Sequence, residues 1–592
     1  MPKKRVTRAI KNRRTVLEGR GDNSPAVDCR EFVIEYKDFA LSALITLKCS
    51  AKTFCLVLLA FGIAGIAHGQ NNKPLAGPEG LQAASRQLGV ALEWEPVMGV
   101  SGYEVQRAGT LKGPYQTLNN KFEQFTLFND FIGVGGTNFY YRVCSIKGDD
   151  KGRVQRSDWS NLAEGHSEEL ETNQLLTEVQ KAGFDYFYEF GHLVSGLARI
   201  SIRRDPDICA SGASGMGFFN LGVGIERGFI SRQEGVNRAL LELKFLSQSA
   251  ERFHGAFPHL INGRTGKAMP FGAYDDGADI VETAFLMEGV LFAREYFSRT
   301  SADEAQIRSL ADGLWRNVEW DWFLKTDPYP VLIWHWSPRW GWKINLHITG
   351  FNECQIVYLL AMASPTHPIK PDAYWEGWEG PSYGVDRVAY GIHMSLGNSN
   401  APAPPLFMAH YSYLGLDPHE LWFRGKTYFD HFRDFCLVQV RYAWGNSDVY
   451  KGYGPLWGIT ASAGPEGYRA FQPGKQDNGT LAPTAALSSM PYVPDQSLPC
   501  LIEMYQNNGS QLWGPLGFYD SFNLTRKWVS KTYLCIDQGP IAPMIENYRT
   551  GMCWKTFMKC QEIQPVIKLI NAGEMARAHA VEVKGVGNGV GQ

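Results

Sequence analysis

The chain has 592 residues, too many for one ordinary domain, so one large domain and a smaller one are expected, each with its own core. Its 58 basic and 60 acidic residues leave a formal net charge of -2, which provides no field to gather nucleic acid or an anionic membrane. Aromatic residues make up 13% of the chain, with 17 Trp and 26 Tyr, a content that suits flat surfaces for stacking on sugar rings as well as a large core.

The first element along the chain is an apolar run at residues 54–67 (FCLVLLAFGIAGIA), preceded by Lys48 and Lys52 and ending on small residues, Ala67 and Gly69. It is too short to span a membrane and reads as a secretory signal closing a leader of residues 1–69, so an exported protein, periplasmic or extracellular, is expected. The basic segment upstream, MPKKRVTRAIKNRR, puts the signal unusually far from the N-terminus and suggests a true start near Leu47; the alternative is an uncleaved anchor with a basic tail. No Cys follows the apolar run at the cleavage point, which disfavours a lipoprotein. Beyond Gln70 the cysteines are scattered without metal-ligand spacing, so buried thiols are expected ahead of a disulfide framework.

After a linker at residues 70–86, residues 87–165 carry short alternating runs: Val90 to Trp94 (VALEW), Tyr103 to Ala108 (YEVQRA) and Asn138 to Ile146 (NFYYRVCSI). Alternation of β-branched and aromatic residues between Gly, Pro and Asn predicts a small antiparallel β-sandwich. Leu92, Trp94, Tyr103, Val105, Arg107, Tyr140, Tyr141, Arg142 and Val143 stand in an order that resembles a fibronectin type III module. Such a module implies a spacer or packing partner and carries no chemistry here.

From residue 169 to 575 the apolar residues recur at three and four residue spacing, which predicts a mainly α domain. Ser231 and Ser301, with Glu234 and Glu304 three residues on, form capping-box patterns. The GASGMG run, Gly212 to Gly217, lacks a preceding strand pattern and reads as a turn. Long loops rich in Gly, Pro and Trp separate the helices, as in a helical barrel whose loop-bearing end is a cleft; no repeat of fixed period supports a solenoid. Residues 576–592 are expected to be a flexible tail.

The acids stand out within this domain. In YDDGADIVETAFLMEG, Asp275, Asp279 and Glu282 are spaced four and three, so on a helix they share one face that runs onward into apolar residues. Asp276 points elsewhere and is the expected N-cap, with Asp279 at the third helical position. Crowded carboxylates raise at least one pKa, which lets one carboxyl hold a proton while another acts as a base. Glu353 opens a second apolar helix after a Gly-containing turn, so two inner helices would bring all four acids to one end of the domain. Opposed carboxylates among aromatic residues equip a site for glycoside hydrolysis.

The stretches Phe253 to Gly289, Thr349 to Ile369, Trp457 to Pro473, Asp477 to Tyr492 and Tyr533 to Trp554 resemble the glycoamylase-like family, in particular the bacterial endo-β-1,2-glucanases. The resemblance implies an (α/α)6 barrel, inversion at the anomeric carbon, and hydrolysis of β-1,2-glucan to sophorose and longer oligosaccharides. The family's acids fall by motif on Asp275, Asp279 and Glu282 in DDGADIVET and on Glu353 in GFNE. The acid/base pair is drawn from Asp279, Glu282 and Glu353, with Asp275 tuning them. Ala463 occupies a loop position where some relatives carry an acid. Sugar contacts are expected from Trp334, Trp336, Trp340, Trp375, Trp378 and Trp457 by stacking and from His254, His259, His347 and His410 by hydrogen bonding. No cofactor or metal motif is found. The expected partner is β-1,2-glucan or its oligosaccharides, taken up by a monomer that binds neither nucleic acid nor, after signal removal, membrane. Competing readings are an exo-acting hydrolase releasing sophorose, a polysaccharide lyase, and a non-catalytic glucan-binding protein.

Overall fold

The computed structural model describes residues 74–119, 123, 125–148, 152–380, 383–397 and 400–587, with side chains as far as residue 577. The chain divides into two compact units, Met1–Ala67 and His68–Gln592, and all described residues belong to the second. The signal segment lies outside them. No helix among the described residues is long and apolar enough to cross a membrane.

The β module holds eight strands: β1 (Gln82–Gln87), β2 (Gly89–Glu93), β3 (Gly102–Ala108), β4 (Gln116–Thr117), β5 (Leu127–Phe131), β6 (Thr137–Gly148), β7 (Val154–Trp159) and β8 (Ala163–Glu168). The alternating runs supply its core, with Val90, Leu92, Trp94, Tyr103, Val105, Tyr141 and Val143 buried, while Arg107 and Arg142 lie outside that core. Two differences from expectation emerge. First, the two halves are joined into one curled sheet in the order β4-β3-β6-β8-β1-β2-β5, with β7 on β6, through a short parallel pairing of Arg86 with Ser167 and Gln87 with Glu168. Second, β1 lies in the segment expected to be linker. Its residues, QAASRQ, are small and polar and show no apolar alternation; backbone pairing along β2 recruits them.

The module is docked onto the helical domain rather than strung in front of it. The Tyr505 hydroxyl donates to the Gln87 carbonyl at 2.6 Å, the Gln87 amide donates to Glu178 at 2.9 Å, and the Asn129 side chain donates to the Gly514 carbonyl at 2.6 Å.

The helical domain begins with α1 (Thr172–Tyr188), α2 (Ser211–Glu226), α3 (Arg232–Gln248), α4 (Ile280–Tyr296), α5 (Ala302–Arg316), α6 (Gln355–Ala363) and α7 (Tyr428–Gly445). The α3 capping box forms as expected: Glu234 N–H donates to the Ser231 hydroxyl, and Ser231 N–H donates to the Glu234 carboxylate. At α5 only half forms, because Glu304 turns to the Arg299 amide and to Arg232. The segment expected to be a tail is helical through Gly587 as part of Ile563–Gly587. All eight cysteines of the described residues are buried thiols.

The GASGMG run is the first two turns of α2, preceded by a short strand, Ile208–Ala210. Its glycines look helix-breaking in sequence, but they allow two backbones to touch. A Cβ on Gly215 would lie 2.1 Å from the Phe285 carbonyl oxygen, and one on Gly289 would lie 1.9 Å from that of Gly215. Helix α2 therefore lies directly against α4, the helix that carries the acids. Ala normally stabilises a helix over Gly by about 1 kcal/mol, yet here overpacking reverses the sign: Gly289→Ala is expected to lower stability by about 3 kcal/mol, read as a reduced denaturation midpoint. A raised midpoint would refute the close crossing.

Candidate functional site

The acids meet where α4 starts, three residues later than the sequence suggests. Asp279, not Asp276, is the N-cap: its backbone is extended, and its Oδ1 accepts the Val281 and Glu282 N–H groups at 3.0 Å each. Asp276 instead accepts from the Ser337 hydroxyl. Asp275 lies outside the helix, so it reaches Asp279 through a turn and not by a shared helical face. The cap shifts because Ala278–Asp279 is pinned as a two-residue strand to His335–Trp336, pairing Asp279 with His335.

This pairing delivers a histidine that the acidic spacing does not reveal. His335 Nε2 lies 3.5 Å from both Asp275 Oδ2 and Asp279 Oδ2. A second histidine, His259, faces Asp279 Oδ2 through Nδ1 at 3.1 Å and Glu282 Oε1 through Nε2 at 3.9 Å. The other Glu282 oxygen accepts the Gly212 N–H at 3.0 Å, at the start of α2, where the helix dipole favours negative charge. Glu353 sits two residues ahead of α6, in a turn tied by Cys354 N–H donating to Asn352 and by the Ser412 hydroxyl donating to the Glu353 carbonyl.

These surroundings separate the protonation states. Burial pushes Asp275 up to about 7, and neighbouring Asp279 and Glu282 add to the rise. Burial likewise pushes Glu353 up to about 7, with the Glu282 charge adding to it. Glu282 is raised, again mainly by burial. Burial opposes ionisation of Asp279 as well, but the His259 hydrogen bond, the neighbouring His335 and His259 rings and the helix N–H groups together hold it below the ordinary range. Burial alone would lower His259, yet the three acids around it carry it up to about 9. Burial holds His335 down, outweighing the pull of Asp279.

A second carboxyl pair was not singled out from sequence. Asp520 and Asp537 are both buried; one oxygen of each has no other hydrogen-bond partner, as when a single proton is shared between them. Asp520 also accepts the Ala463 N–H at 2.8 Å, so the loop that lacks an acid at Ala463 is tied to this pair by its backbone. The Tyr411 hydroxyl donates to Asp537 at 3.4 Å and also feels the charge of Glu353, which links the pair to the acid cluster.

The match with known proteins follows these motifs. The Glycoamylase family model, described as a glucoamylase, matches residues 345–561. The chain is 41% identical over 479 residues to an exo beta-1,2-glucooligosaccharide sophorohydrolase (non-reducing end) of Parabacteroides distasonis, a match covering 77% of this chain and 66% of that protein, slightly under two thirds of its length. The crystal structure of a beta-1,2-glucanase from the same organism superposes with a TM-score of 0.80 at 39% identity, covering 84% of this chain and 73% of that one. That of the endo-beta-1,2-glucanase from Chitinophaga pinensis, in complex with sophorotriose and glucose, superposes at 0.65 and 42% identity, covering 68% and 98%. The chain belongs to the glycoamylase-like family of glycoside hydrolases.

Within this glycoamylase-like domain the aromatic expectations divide. Trp334 and Trp336 flank His335, with Trp336 edge-on to His254 at 5.2 Å and the exposed Trp322 stacked on His254 at 3.8 Å. Trp340 is half exposed and packs edge-on against the exposed Tyr274, next to Asp275. Of the other six expected sugar contacts, His259 faces the acids and His347 lies edge-on to Tyr329 at 6.2 Å, while four are corrected. Trp378 is fully buried between Tyr358 and Tyr383, and Trp375 is wedged against Gly573 with Arg577 over its ring. Trp457 is buried with its N–H given to the Gln496 carbonyl. His410 is buried with Nε2 on the Ser489 hydroxyl, and burial drives it down to about 3. Trp378, Trp457 and His410 are buried and Trp375 packs half-buried against the core, and an aromatic residue in a loop-like stretch carries no local mark of which side it faces.

Proposed function

We propose that this protein is an exported inverting glycoside hydrolase of β-1,2-linked glucan, its helical domain an (α/α)6 barrel and its products sophorose and longer oligosaccharides. The observation that carries the reading is that Glu353 is buried within the field of Glu282, so that burial, with that charge added, leaves Glu353 able to hold a proton near neutral pH. Glu353 is the proton donor to the glycosidic oxygen. Glu282, oriented by the Gly212 amide and facing His259, is the base that activates water on the opposite face of the sugar, as inversion requires. Asp279 is a positioning group, since both its oxygens are already committed to the helix amides and His259. Asp275 shares the cluster's proton inventory. The relatives named as β-1,2-glucanases support the linkage.

Exo action is the second reading, favoured by the 41% identical relative named for release of sophorose from the non-reducing end. Incubation with linear and with cyclic β-1,2-glucan separates the two. New reducing ends from both substrates are expected; cleavage of the linear chain alone, to sophorose, would replace endo with exo, and no cleavage of either would overturn the linkage.

A further inference from the structure

We propose that His259 is a positioning residue that works as a permanent imidazolium, clamped between Asp279 and Glu282 so that both acids can stay ionised in a buried site. The hydrolase reading above underlies its kinetic consequences, whereas its charge state stands on geometry alone.

Both ring nitrogens face carboxylate oxygens, Nδ1 toward Asp279 at 3.1 Å and Nε2 toward Glu282 at 3.9 Å. An ionised carboxylate only accepts hydrogen bonds, and a neutral imidazole has one donor and one acceptor nitrogen. A neutral His259 would therefore turn a lone pair toward one of its acids; the doubly protonated ring satisfies both. Phe271 stacks on the ring at 3.8 Å and 13°, covering one face from water and strengthening the charges it encloses. The charged and titratable groups facing His259 are Asp275, Asp279 and Glu282, which favour the cation, and His335, which opposes it. His335 yields in this contest: its Nδ1 is buried without a partner, so it remains neutral, with Nε2 turned toward Asp275 and Asp279 at 3.5 Å each. One cation thus serves three acids, and without it their repulsion would keep Glu282 protonated and useless as a base.

His259, Asp275 and Asp279 also bring one donor atom each within 4.8 Å of one another, a spacing that a divalent cation could use. The hydrogen bonds already made by Asp279 favour the imidazolium, and the experiment separates the two.

The test is carried out on the full chain with 13C-labelled histidine, the His259 ring signal being assigned by its loss in His259→Gln. An imidazolium signal at pH 7, persisting to about 8, is expected. Kinetically, His259→Gln should lower kcat about 100-fold with KM within about threefold, and raise the acidic limb of the kcat/KM profile by about one pH unit or more. His259→Lys, which restores a cation, should recover at least about tenfold of the loss. A neutral imidazole signal at pH 7 overturns the proposal, as does an unmoved acidic limb in folded His259→Gln. Activity that is lost on chelation and restored by a divalent metal also overturns it, since His259 would then be a ligand. If the wild-type protein cleaves no β-1,2-glucan, the function reading falls while the ring signal still decides the charge state.

Discussion

Glu353→Gln is expected to reduce hydrolysis of β-1,2-glucan by about a thousandfold or more, within the range that general acid catalysis supplies. Glutamine keeps the volume, and the turn ahead of α6 is held by backbone and Ser412 contacts that do not involve the Glu353 carboxyl, so the fold should melt as the wild type does. The loss should be selective. A glucan leaving group needs a proton, while an aryl β-glycoside with a good leaving group does not, so the variant should lose far less on the aryl substrate. Glu353 acts in its protonated form and is held at about 7, so wild-type kcat/KM should fall as pH rises through that value, and the residual activity of Glu353→Gln should lack this alkaline limb. An unchanged rate, or a retained alkaline limb, would remove Glu353 from the proton donor role.

Glu282→Gln should cost as much, by a different route. Its amide oxygen can still accept the Gly212 N–H, which turns the NH2 group toward His259 Nε2 and sets donor against donor. The variant thus loses the base and disturbs the cation beside it. The loss should persist on aryl substrates, because water activation is needed whatever the leaving group. The acidic limb of the profile should disappear, and the alkaline limb set by Glu353 should move somewhat below its wild-type position near 7, because the Glu282 charge that adds to its rise is gone. Full rescue on an aryl glycoside would contradict the base assignment.

Much of this protein was legible before any coordinates. Three and four residue spacing located α1, α3, α4, α5 and α6, and period-two alternation located the inner face of the β module, because each pattern is the direct imprint of one buried side of a regular element. The acids were legible as a group because carboxylates crowding the start of an apolar helix are costly unless they are used, and the family resemblance attached a substrate to them. What remained hidden was set by contacts between residues distant in sequence. Asp279 took the cap from Asp276 because a strand 56 residues later pairs with it and delivers His335 to the same carboxylate. The glycine run became helix because α4 lies against it, a fact no local propensity contains. Trp378 and Trp457 turned inward and Trp340 outward although all three sit in similar aromatic loops, since burial of a side chain is decided by what packs over it. Sequence alone therefore determined the helical and strand periods and marked a group of acids at the start of α4; the tertiary structure decided how their proton affinities separate, because only packing sets burial and brings His259 and His335 within reach of the charge.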